Sequence, residues 1–431
     1  MTSLLTLRQR LLLVLAAGLL AGALIWGLRA TGWLQQAELW QYDITTAALA
    51  GPEPLPDVTL VALTDADLSR SGWPVSDTHL ARLAEAALDA GARTVGIDLY
   101  RDLPVGEGRD RLLSVLQDPK VVVISRLADA ETTAITAPLE AQSGFADVPI
   151  DPDGVARRAL LLVTTQSAGV ALSFPLKLAM SFTGTRDLRP APENSQHLAF
   201  GPTSVPPIET DTGPYARIDA SGYQVITQYR HALPLVRRVR PDALLDGTAA
   251  IAGQLVIIGL TSDTVKDYFS TPLSRYTGAD FTFGAEVHAA IAQQLIDYSS
   301  GRLAPLRSLQ ASTEAVLVFL TALAGAWCAV LWPARLYSLA AGCGGVLLGG
   351  PGLAYAQNAG LLLPAVPASL AWATAFIAAF IVVATLARRH RRIMVELFAS
   401  QLSEDLSAEI WNQRDRLLEG RKPVSRKLFV T

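Results

Sequence analysis

The fold of this chain is decided by the stretch that follows Asp57 and ends at Arg101, VTLVALTDADLSRSGWPVSDTHLARLAEAALDAGARTVGIDLYR. Val58 to Leu63 is a short apolar run rich in β-branched residues, which predicts a buried strand. Thr94 to Leu99 has the same character and predicts a second one. The chain is therefore expected to contain two buried strands separated by about 30 residues, a spacing that suits a crossover connection.

The segment between these strands predicts a helix. Its apolar positions recur at helical spacing: Leu80, Leu83, Ala84, Ala87 and Leu88. Ser76 or Asp77 can cap its start, and Gly91 can supply the left-handed residue that ends it. The whole stretch is therefore predicted to be a β-α-β unit, the building block of parallel sheets.

Further elements are predicted on both sides of this unit. Strands are expected at Val121 to Ser125 and Gln254 to Leu260, and helices at Trp33 to Ala50, Asp110 to Leu116, residues 171 to 182 with a break at Pro175, and Ala285 to Leu295. Gly144 to Val163 predicts two strands around an Asp-Pro-Asp-Gly turn. Its Asp151 and Asp153 resemble the opening of a calcium loop, although a plain turn is favoured because the closing Glu is missing. Residues 183 to 215, rich in Pro, Thr, Ser and Gly, predict a loop or a poorly ordered insertion.

Four apolar segments have the length of membrane spans: Leu11 to Leu28, Ala315 to Trp332, Leu336 to Ala356 and Leu361 to Ala387. The first could alternatively be a cleaved secretory signal. Arg8 and Arg10 precede it, and a basic run, Arg388 to Arg392, follows the last span. Basic flanks predict that both termini are cytoplasmic.

Charge is distributed in agreement with that topology. Residues 35 to 305 hold 32 acidic and 21 basic residues, a net charge of −11, whereas the remainder holds 15 basic and 7 acidic residues, a net charge of +8. An acidic middle argues against a nucleic-acid partner. The two cysteines, Cys328 and Cys343, both lie in apolar segments, so the acidic region has no disulfide and no thiolate metal site.

These patterns predict an α/β periplasmic domain with a mixed or mostly parallel sheet flanked by helices, and an α-helical membrane domain of four spans, one before and three after the periplasmic domain. The expected bounds are residues 1–34 for the cytoplasmic start and first span, 35–305 for the periplasmic domain, 306–387 for three spans, 388–426 for cytoplasmic helices and 427–431 for a final strand-like segment. The chain is expected to sit in the bacterial inner membrane.

A ligand site is expected where the strands end, because open α/β sheets bind their ligands at the carboxyl edge. The candidates are Asp65, Trp73, Asp98, Thr261, Ser262 and Asp267. A purely structural interpretation stays open, since strand-end carboxylates commonly accept hydrogen bonds from nearby backbone groups. Trp73 could equally cover an edge of the core, His79 is expected on the exposed side of its helix, and His288 is expected to be packed in the core.

Four glycines at small-xxx-small spacing predict close contacts between membrane helices: Gly18, Gly22, Gly345 and Gly349. No G-x-S-x-G, H-E-x-x-H, phosphate-loop or Cys/His metal spacing occurs, so no metal site or catalytic residue is predicted in these 431 residues.

Several segments, in this order, resemble the type-two CHASE sensor domain: GWP, HLARLAEAALDAGARTVGIDL, GFADVPIDPDGVARRALLL, QLVIIGLTSDTVKDYFSTPLS and GAEVHAAI. The resemblance covers roughly residues 40 to 298. It implies an extracellular module of bacterial cyclases and histidine kinases, with one span before the sensor and three after it. It implies no known ligand.

The tail decides what such a sensor would control. Ile393 to Gly420 predicts two short helices, and the strand-like residues from Lys427 to Thr431 follow. This arrangement resembles the segment before the catalytic domain of class III nucleotide cyclases. Together the two resemblances imply that residues 35–305 are the sensor domain, residues 388–426 are transducer helices and residues 427–431 start a missing output domain. The expected function is therefore a receptor that regulates an adenylate or guanylate cyclase. The resemblance implies a homodimer, an unknown periplasmic ligand, and magnesium or manganese in the missing cyclase domain but no cofactor in this chain. The alternatives are an input module of a histidine kinase and a membrane-tethered periplasmic enzyme.

Overall fold

The computed structural model describes residues 6–128, 134–139, 142–165, 169–231, 233–276, 281–331 and 351–399. The chain divides into two compact units. One comprises Arg29–Gln310 with Leu348–Val366, and the other Met1–Leu28, Ala311–Leu347 and Pro367–Thr431. Each is described separately below.

The helices are α1 (Leu7–Ala30), α2 (Gln35–Leu49), α3 (Asp65–Ser71), α4 (Asp77–Asp89), α5 (Arg109–Leu116), α6 (Phe174–Thr183), α7 (Pro241–Leu245), α8 (Gly284–Ser299), α9 (Ala311–Leu331) and α10 (Ala365–Ala399). The strands are β1 (Val58–Leu63), β2 (Thr94–Asp98), β3 (Val121–Ser125), β4 (Ser143–Phe145), β5 (Arg158–Thr165), β6 (Gly169–Leu172), β7 (Arg189–Ala191), β8 (Asn194–Phe200), β9 (Thr203–Val205), β10 (Tyr223–Ile226), β11 (Arg237–Val239), β12 (Leu255–Leu260), β13 (Tyr268–Phe269), β14 (Thr282–Phe283), β15 (Arg307–Ser308) and β16 (Leu361–Leu362). The predicted β-α-β unit is confirmed as β1, α4 and β2, with Ser76 as the cap of α4 and Gly91 left-handed at φ 81°.

The central sheet has six parallel strands in the order β11-β1-β12-β2-β3-β4. β12, from late in the chain, is inserted between β1 and β2. Its register runs from Val58 opposite Leu255 to Leu63 opposite Leu260 on one side, and places Gly259 opposite Asp98 on the other. This insertion brings the loop that follows β12 between the ends of β1 and β2.

Helices cover both faces of the central sheet. Val95 and Ile97 of β2 pack with α4, α5 and α7 on one face. Leu255 and Ile257 of β12 pack with α6 and α8 on the other. Alternation along the strands therefore turns Gly96 and Asp98 toward α6 and α8, and a Cβ built on Gly96 would lie 2.9 Å from both Phe174 and Leu178 of α6.

The strands predicted around the Asp-Pro-Asp-Gly turn exist, but they do not pair as a hairpin. β4 is parallel to β3 in the central sheet, whereas β5 is antiparallel to β6 and β10 in a separate three-stranded sheet. The residues between β4 and the turn lie outside any strand, and the two predicted strands join different sheets. The turn itself is confirmed by the Gly154 amide, which donates to the Asp151 carbonyl at 2.8 Å.

Two other expectations are corrected. The region from 183 to 215 contains a three-stranded antiparallel sheet, β7-β8-β9, rather than a loop without strands. The sequence pattern did not reveal these strands, because they are short and the region is rich in residues typical of turns. Pro175 does not break α6, because it lies in the first turn, where a missing amide is not needed.

Three described helices are long and apolar enough to cross a membrane, over Leu7–Ala30, Ala311–Val330 and Ala365–Ile393. The predicted span Leu336 to Ala356 lies largely outside the described residues, as does the tail after Ala399. The last helix begins later than expected, because Leu361 and Leu362 pair with β15.

Candidate functional site

The carboxyl ends of β1 and β12 meet through Asp65, as the sequence predicted. Asp65 opens α3, and its carboxylate accepts hydrogen bonds from the Ser262 hydroxyl at 2.5 Å and the Asp263 amide at 3.1 Å. Hydrogen bonds from Ser262 and then Thr264 lower the pKa of Asp65. The ionised carboxylate of Asp65 therefore links α3 to the loop after β12 by hydrogen bonds.

Asp98 has a different environment at the end of β2. Its side chain is 6% exposed, and its Oδ2 has no hydrogen-bond partner among the described residues. Burial, reinforced by the negative charge of Asp267, raises the pKa of Asp98 well above its usual range. The position is thus a buried acid for which the fold supplies no compensating donor at that oxygen.

Asp267 lies near Asp98, in the loop between β12 and β13. Its main-chain carbonyl accepts from the Gly284 amide at 3.0 Å, which holds it against the start of α8. A Cβ on Gly284 would lie only 2.6 and 2.7 Å from the two carboxylate oxygens, so a larger residue there would displace the Asp267 carboxylate. Burial raises the pKa of Asp267 as well. We call Asp98 and Asp267 the strand-end pair.

Thr261 completes the polar lining of this edge. It follows β12, and its amide donates to the Leu63 carbonyl at 3.0 Å. Its side chain is 8% exposed, and its hydroxyl has no partner among the described residues. Because Gly259 faces Asp98, strand alternation turns Thr261, two residues later, to the same side of the sheet.

His288 lies on α8 one turn after Gly284, and its sequence prediction as a core residue is confirmed. It is 4% exposed and packs edge-on against Phe174 with the ring centroids 5.5 Å apart. Its Nδ1 has no described partner, and burial lowers its pKa to about 4. The ring is therefore neutral at pH 7.

Trp73 and His79 differ from their predicted exposure to solvent. Trp73 is 51% exposed, so most of the indole does not cover the core. His79, expected on the exposed side of α4, is partly buried, and burial lowers its pKa. Among the described residues, no group of three or more His, Cys, Asp or Glu side chains is placed to hold a metal ion.

A second acidic site was missed by the sequence. Arg157 is fully buried and binds Asp43 at 2.6 and 2.7 Å, Asp151 at 2.9 Å, and Asp153 at 2.8 and 2.7 Å. Arg158 binds the other oxygen of Asp151 at 2.8 Å. We call these five residues the arginine cluster. The turn interpretation of Asp151 and Asp153 is confirmed, and both carboxylates are already neutralised by arginines rather than open to calcium.

The arginine cluster joins α2 to the Asp-Pro-Asp-Gly turn. Burial acts to lower the pKa of Arg157, but the hydrogen bonds of Asp43 and Asp153 outweigh it and the pKa is raised. Burial acts to raise the pKa of Asp153, but hydrogen bonds from Arg157 and Gln36 outweigh it and the pKa is lowered. The Asp-x-Asp and Arg-Arg pairs six residues apart were visible in the sequence, but nothing local linked them to Asp43, which is 114 residues away from Arg157.

The structure describes two of the four glycines that were predicted to allow close helix contacts. A Cβ on Gly18 would lie 2.6 Å from Leu323, and one on Gly22 would lie 2.5 Å from Phe319, both on α9. They therefore allow a close contact with α9 of the same chain. Gly345 and Gly349 lie outside the described residues.

Comparison with family models matches residues 20–327 to the CHASE2 domain. Comparison with curated proteins and with solved structures found no match. The matched range covers well over half of the chain and contains β1 to β15, the strand-end pair and the arginine cluster. The chain therefore belongs to the CHASE2 family, the type-two CHASE sensor domains of signalling receptors.

Proposed function

We propose that this protein is a receptor of the bacterial inner membrane in which a periplasmic CHASE2 domain regulates a cytoplasmic class III adenylate or guanylate cyclase. The observation that supports an output on the far side of the membrane is the length of α10. It has 35 residues and runs without a break from its apolar span through Arg388 to Arg392. Such a helix is about 52 Å long, against roughly 30 Å of hydrocarbon, so it extends well beyond the bilayer.

A continuous helix is a suitable relay between sensor and output. A shift or rotation of the apolar part of α10 is delivered to its basic end, because an unbroken hydrogen-bonded helix moves as a rigid rod over this distance. The Ile393 to Gly420 segment would pass that movement to a catalytic domain after Thr431. The residues described here would then serve detection and transmission, and the metal-dependent chemistry of cyclisation would reside in the output domain.

The output is tested by the gene sequence that follows Thr431 and by the activity of its product. We expect a class III cyclase domain and, for the complete protein, conversion of ATP or GTP to the cyclic monophosphate with magnesium or manganese. Residues 1–431 alone should give no cyclic product. A histidine-kinase domain after Thr431 would overturn the cyclase proposal but not the proposal that the protein is a receptor. Turnover by residues 1–431 alone would support the periplasmic-enzyme alternative instead.

The proposed topology has four spans, with Leu336 to Ala356 as the third, and both termini in the cytoplasm. It predicts that cysteines placed at the exposed positions Asp110 and Arg186, in a Cys328→Ala and Cys343→Ala background, react with an impermeant thiol reagent once the outer membrane is made leaky. A cysteine in place of Arg391 should react only after the inner membrane is opened. If the cysteine at position 391 reacts first, and those at 110 and 186 react only after the inner membrane is opened, the proposed orientation in the membrane is reversed.

We also propose a homodimer, since homodimeric class III cyclases build their active site between two chains. Because Gly18 and Gly22 face α9 of the same chain, the dimer contact is expected elsewhere. Gly22→Leu should therefore lower stability while leaving the dimer fraction in nanodiscs unchanged, and Gly27→Leu is the control, since a Cβ there meets nothing within 4 Å. A Gly22→Leu protein that is stable but monomeric would place the dimer contact on this face.

The stimulus is proposed to bind at the carboxyl edge of the central sheet, where Asp65, Asp98, Thr261, Ser262 and Asp267 converge. Support comes from the buried polar atoms without partners at this edge, which is also where open α/β sheets bind ligands. Asp98→Asn and Asp267→Asn should change the stimulus response of the complete receptor. A full response in both variants would make the edge structural.

A further inference from the structure

The strand-end pair is an acidic site that the described residues do not neutralise. Neither Asp98 nor Asp267 forms an ion pair with a described Lys, Arg or His. Within the described part of the chain, Oδ2 of Asp98 and the hydroxyl of Thr261 are buried without a hydrogen-bond partner. An ionised carboxylate that is buried without compensation is costly, so the pair is either protonated or neutralised by a positive charge from outside the fold.

The positions next to the pair carry no side chains. Gly284 lies beside the Asp267 carboxylate and Gly259 lies opposite Asp98, so neither position covers the two acids. A Cβ on Gly259 would lie 3.5 Å from Oδ2 of Asp98 and 2.6 Å from Ala285 of α8. Both glycines have ordinary helical or strand backbone, so their role is space rather than conformation.

The polar atoms at the site are oxygens. Two carboxylates and a hydroxyl suit a hard cation, which binds oxygen ligands and completes its shell with main-chain carbonyls and water. Sulfur ligands are absent from the site, and His288 is not grouped with the pair as a metal ligand. The chemistry therefore favours calcium or magnesium over zinc or copper.

We propose that Asp98, Asp267 and Thr261 form a binding site for a hard divalent cation, calcium or magnesium, at the carboxyl edge of the CHASE2 domain. This deepens the proposed function, on which it rests, by naming the class of ligand that the sensor takes. The cation would tie the end of β2 to the loop after β12 and to the first turn of α8.

A contact at the start of α8 can be passed along the helix. Near its other end, Gln294 accepts from the Gln228 amide at 2.6 Å and donates to the Tyr298 hydroxyl at 3.0 Å. Gln228 in turn accepts from Arg230, which donates to Asn358 at 2.6 Å, in the connection that precedes α10. Cation binding thus acts on a helix whose hydrogen bonds continue through Gln228 and Arg230 to Asn358.

The test is thermal unfolding of the complete chain in detergent at pH 7.5, after chelation, with calcium or magnesium added. At a concentration about 100 times Kd, the wild-type melting temperature should rise by roughly 5 to 10 °C. Asp98→Asn and Asp267→Asn should lose the shift while remaining folded, because each removes a carboxylate that would bind the cation and keeps the side-chain size. Asp110→Asn, an exposed carboxylate on α5, is the charge-matched control and should keep the shift.

Three results would overturn the site. One is a wild-type protein whose melting temperature does not respond to either cation. A second is an unchanged cation response in Asp98→Asn and Asp267→Asn. The third is stabilisation by acid alone, at pH 5.5 without any cation effect, which would make the pair a proton site. None of these touches the cyclase proposal, which depends on the sequence and activity after Thr431.

Discussion

Two buried acidic sites in one domain have opposite electrostatic states. The arginine cluster gathers three carboxylates around Arg157, and every charge in it has a hydrogen-bonded partner. The strand-end pair gathers two carboxylates, and no arginine or lysine in the described part of the chain binds either of them. Burial is similar in both, so exposure to water does not explain the difference.

The comparison separates a structural role from a functional one. A satisfied buried network is costly to break and holds its elements in one arrangement, here α2 against the Asp-Pro-Asp-Gly turn. An unsatisfied buried carboxylate destabilises the fold that contains it, and is kept where it serves another purpose. The same residue type, Asp, should therefore give effects of opposite sign at the two sites.

The largest effect is expected for Arg157→Met. It leaves the carboxylates of Asp43, Asp151 and Asp153 buried without their main partner, which should reduce the free energy of unfolding by about 3–5 kcal/mol. Denaturant or thermal unfolding of the purified chain measures it. Arg240→Met is the control, because its surface pair with Asp242 should contribute little. An Arg157→Met protein as stable as the wild type would mean that the cluster is not structural.

A smaller loss is expected for Asp153→Asn, which removes the charge from a carboxylate that binds two nitrogens of Arg157. The loss at pH 7 should be about 2 kcal/mol. Because the pKa of Asp153 is lowered in the folded protein, its contribution is present above about pH 4, the unfolded value, and is lost as the pH falls. The difference between wild type and variant should therefore shrink in acid. A difference that is constant with pH would contradict the charge-based explanation.

Gly284→Ala tests whether the strand-end pair is held where the geometry indicates. The added methyl group would overlap the Asp267 carboxylate and should cost about 1–2 kcal/mol. Gly51→Ala is the matched control, since its Cβ would make only an ordinary contact at 3.7 Å. In the double variant with Asp267→Ala, most of the loss should disappear. Equal losses with and without the carboxylate would place the strain elsewhere.

The smallest effect, and the only gain, is expected for Asp98→Asn without added cations. Its folded pKa is raised, so in the wild type this group favours folding more in acid, and that advantage is lost as the pH rises from about 4 toward the folded value. At pH 7 the variant should be more stable by about 1 kcal/mol. Unfolding of both proteins between pH 5 and 8 measures the difference. A less stable variant would mean that Asp98 has a neutralising partner in the fold.

The local sequence pattern was sufficient to predict the helices and strands whose residues lie close together in the chain. The apolar runs of β1, β2, β3 and β12, the cap at Ser76 and the left-handed Gly91 were predicted within a residue or so of their observed positions. A parallel sheet followed from two buried strands joined by a helix. The strand-end position of Asp65 and Asp98 followed from the same pattern.

The sequence by itself thus determined the β-α-β unit, the apolar helices, the CHASE-type resemblance and the edge of the sheet at which polar residues gather. Only the tertiary structure decided which of these residues meet. The insertion of β12 between β1 and β2 is a long-range pairing that no local period encodes, and it brought Asp267 to Asp98 and Ser262 to Asp65. Arg157 found Asp43 across 114 residues for the same reason. Whether a buried carboxylate is neutralised depends on its neighbours in space, which is why arginines bind one acidic site and no described cationic side chain binds the other.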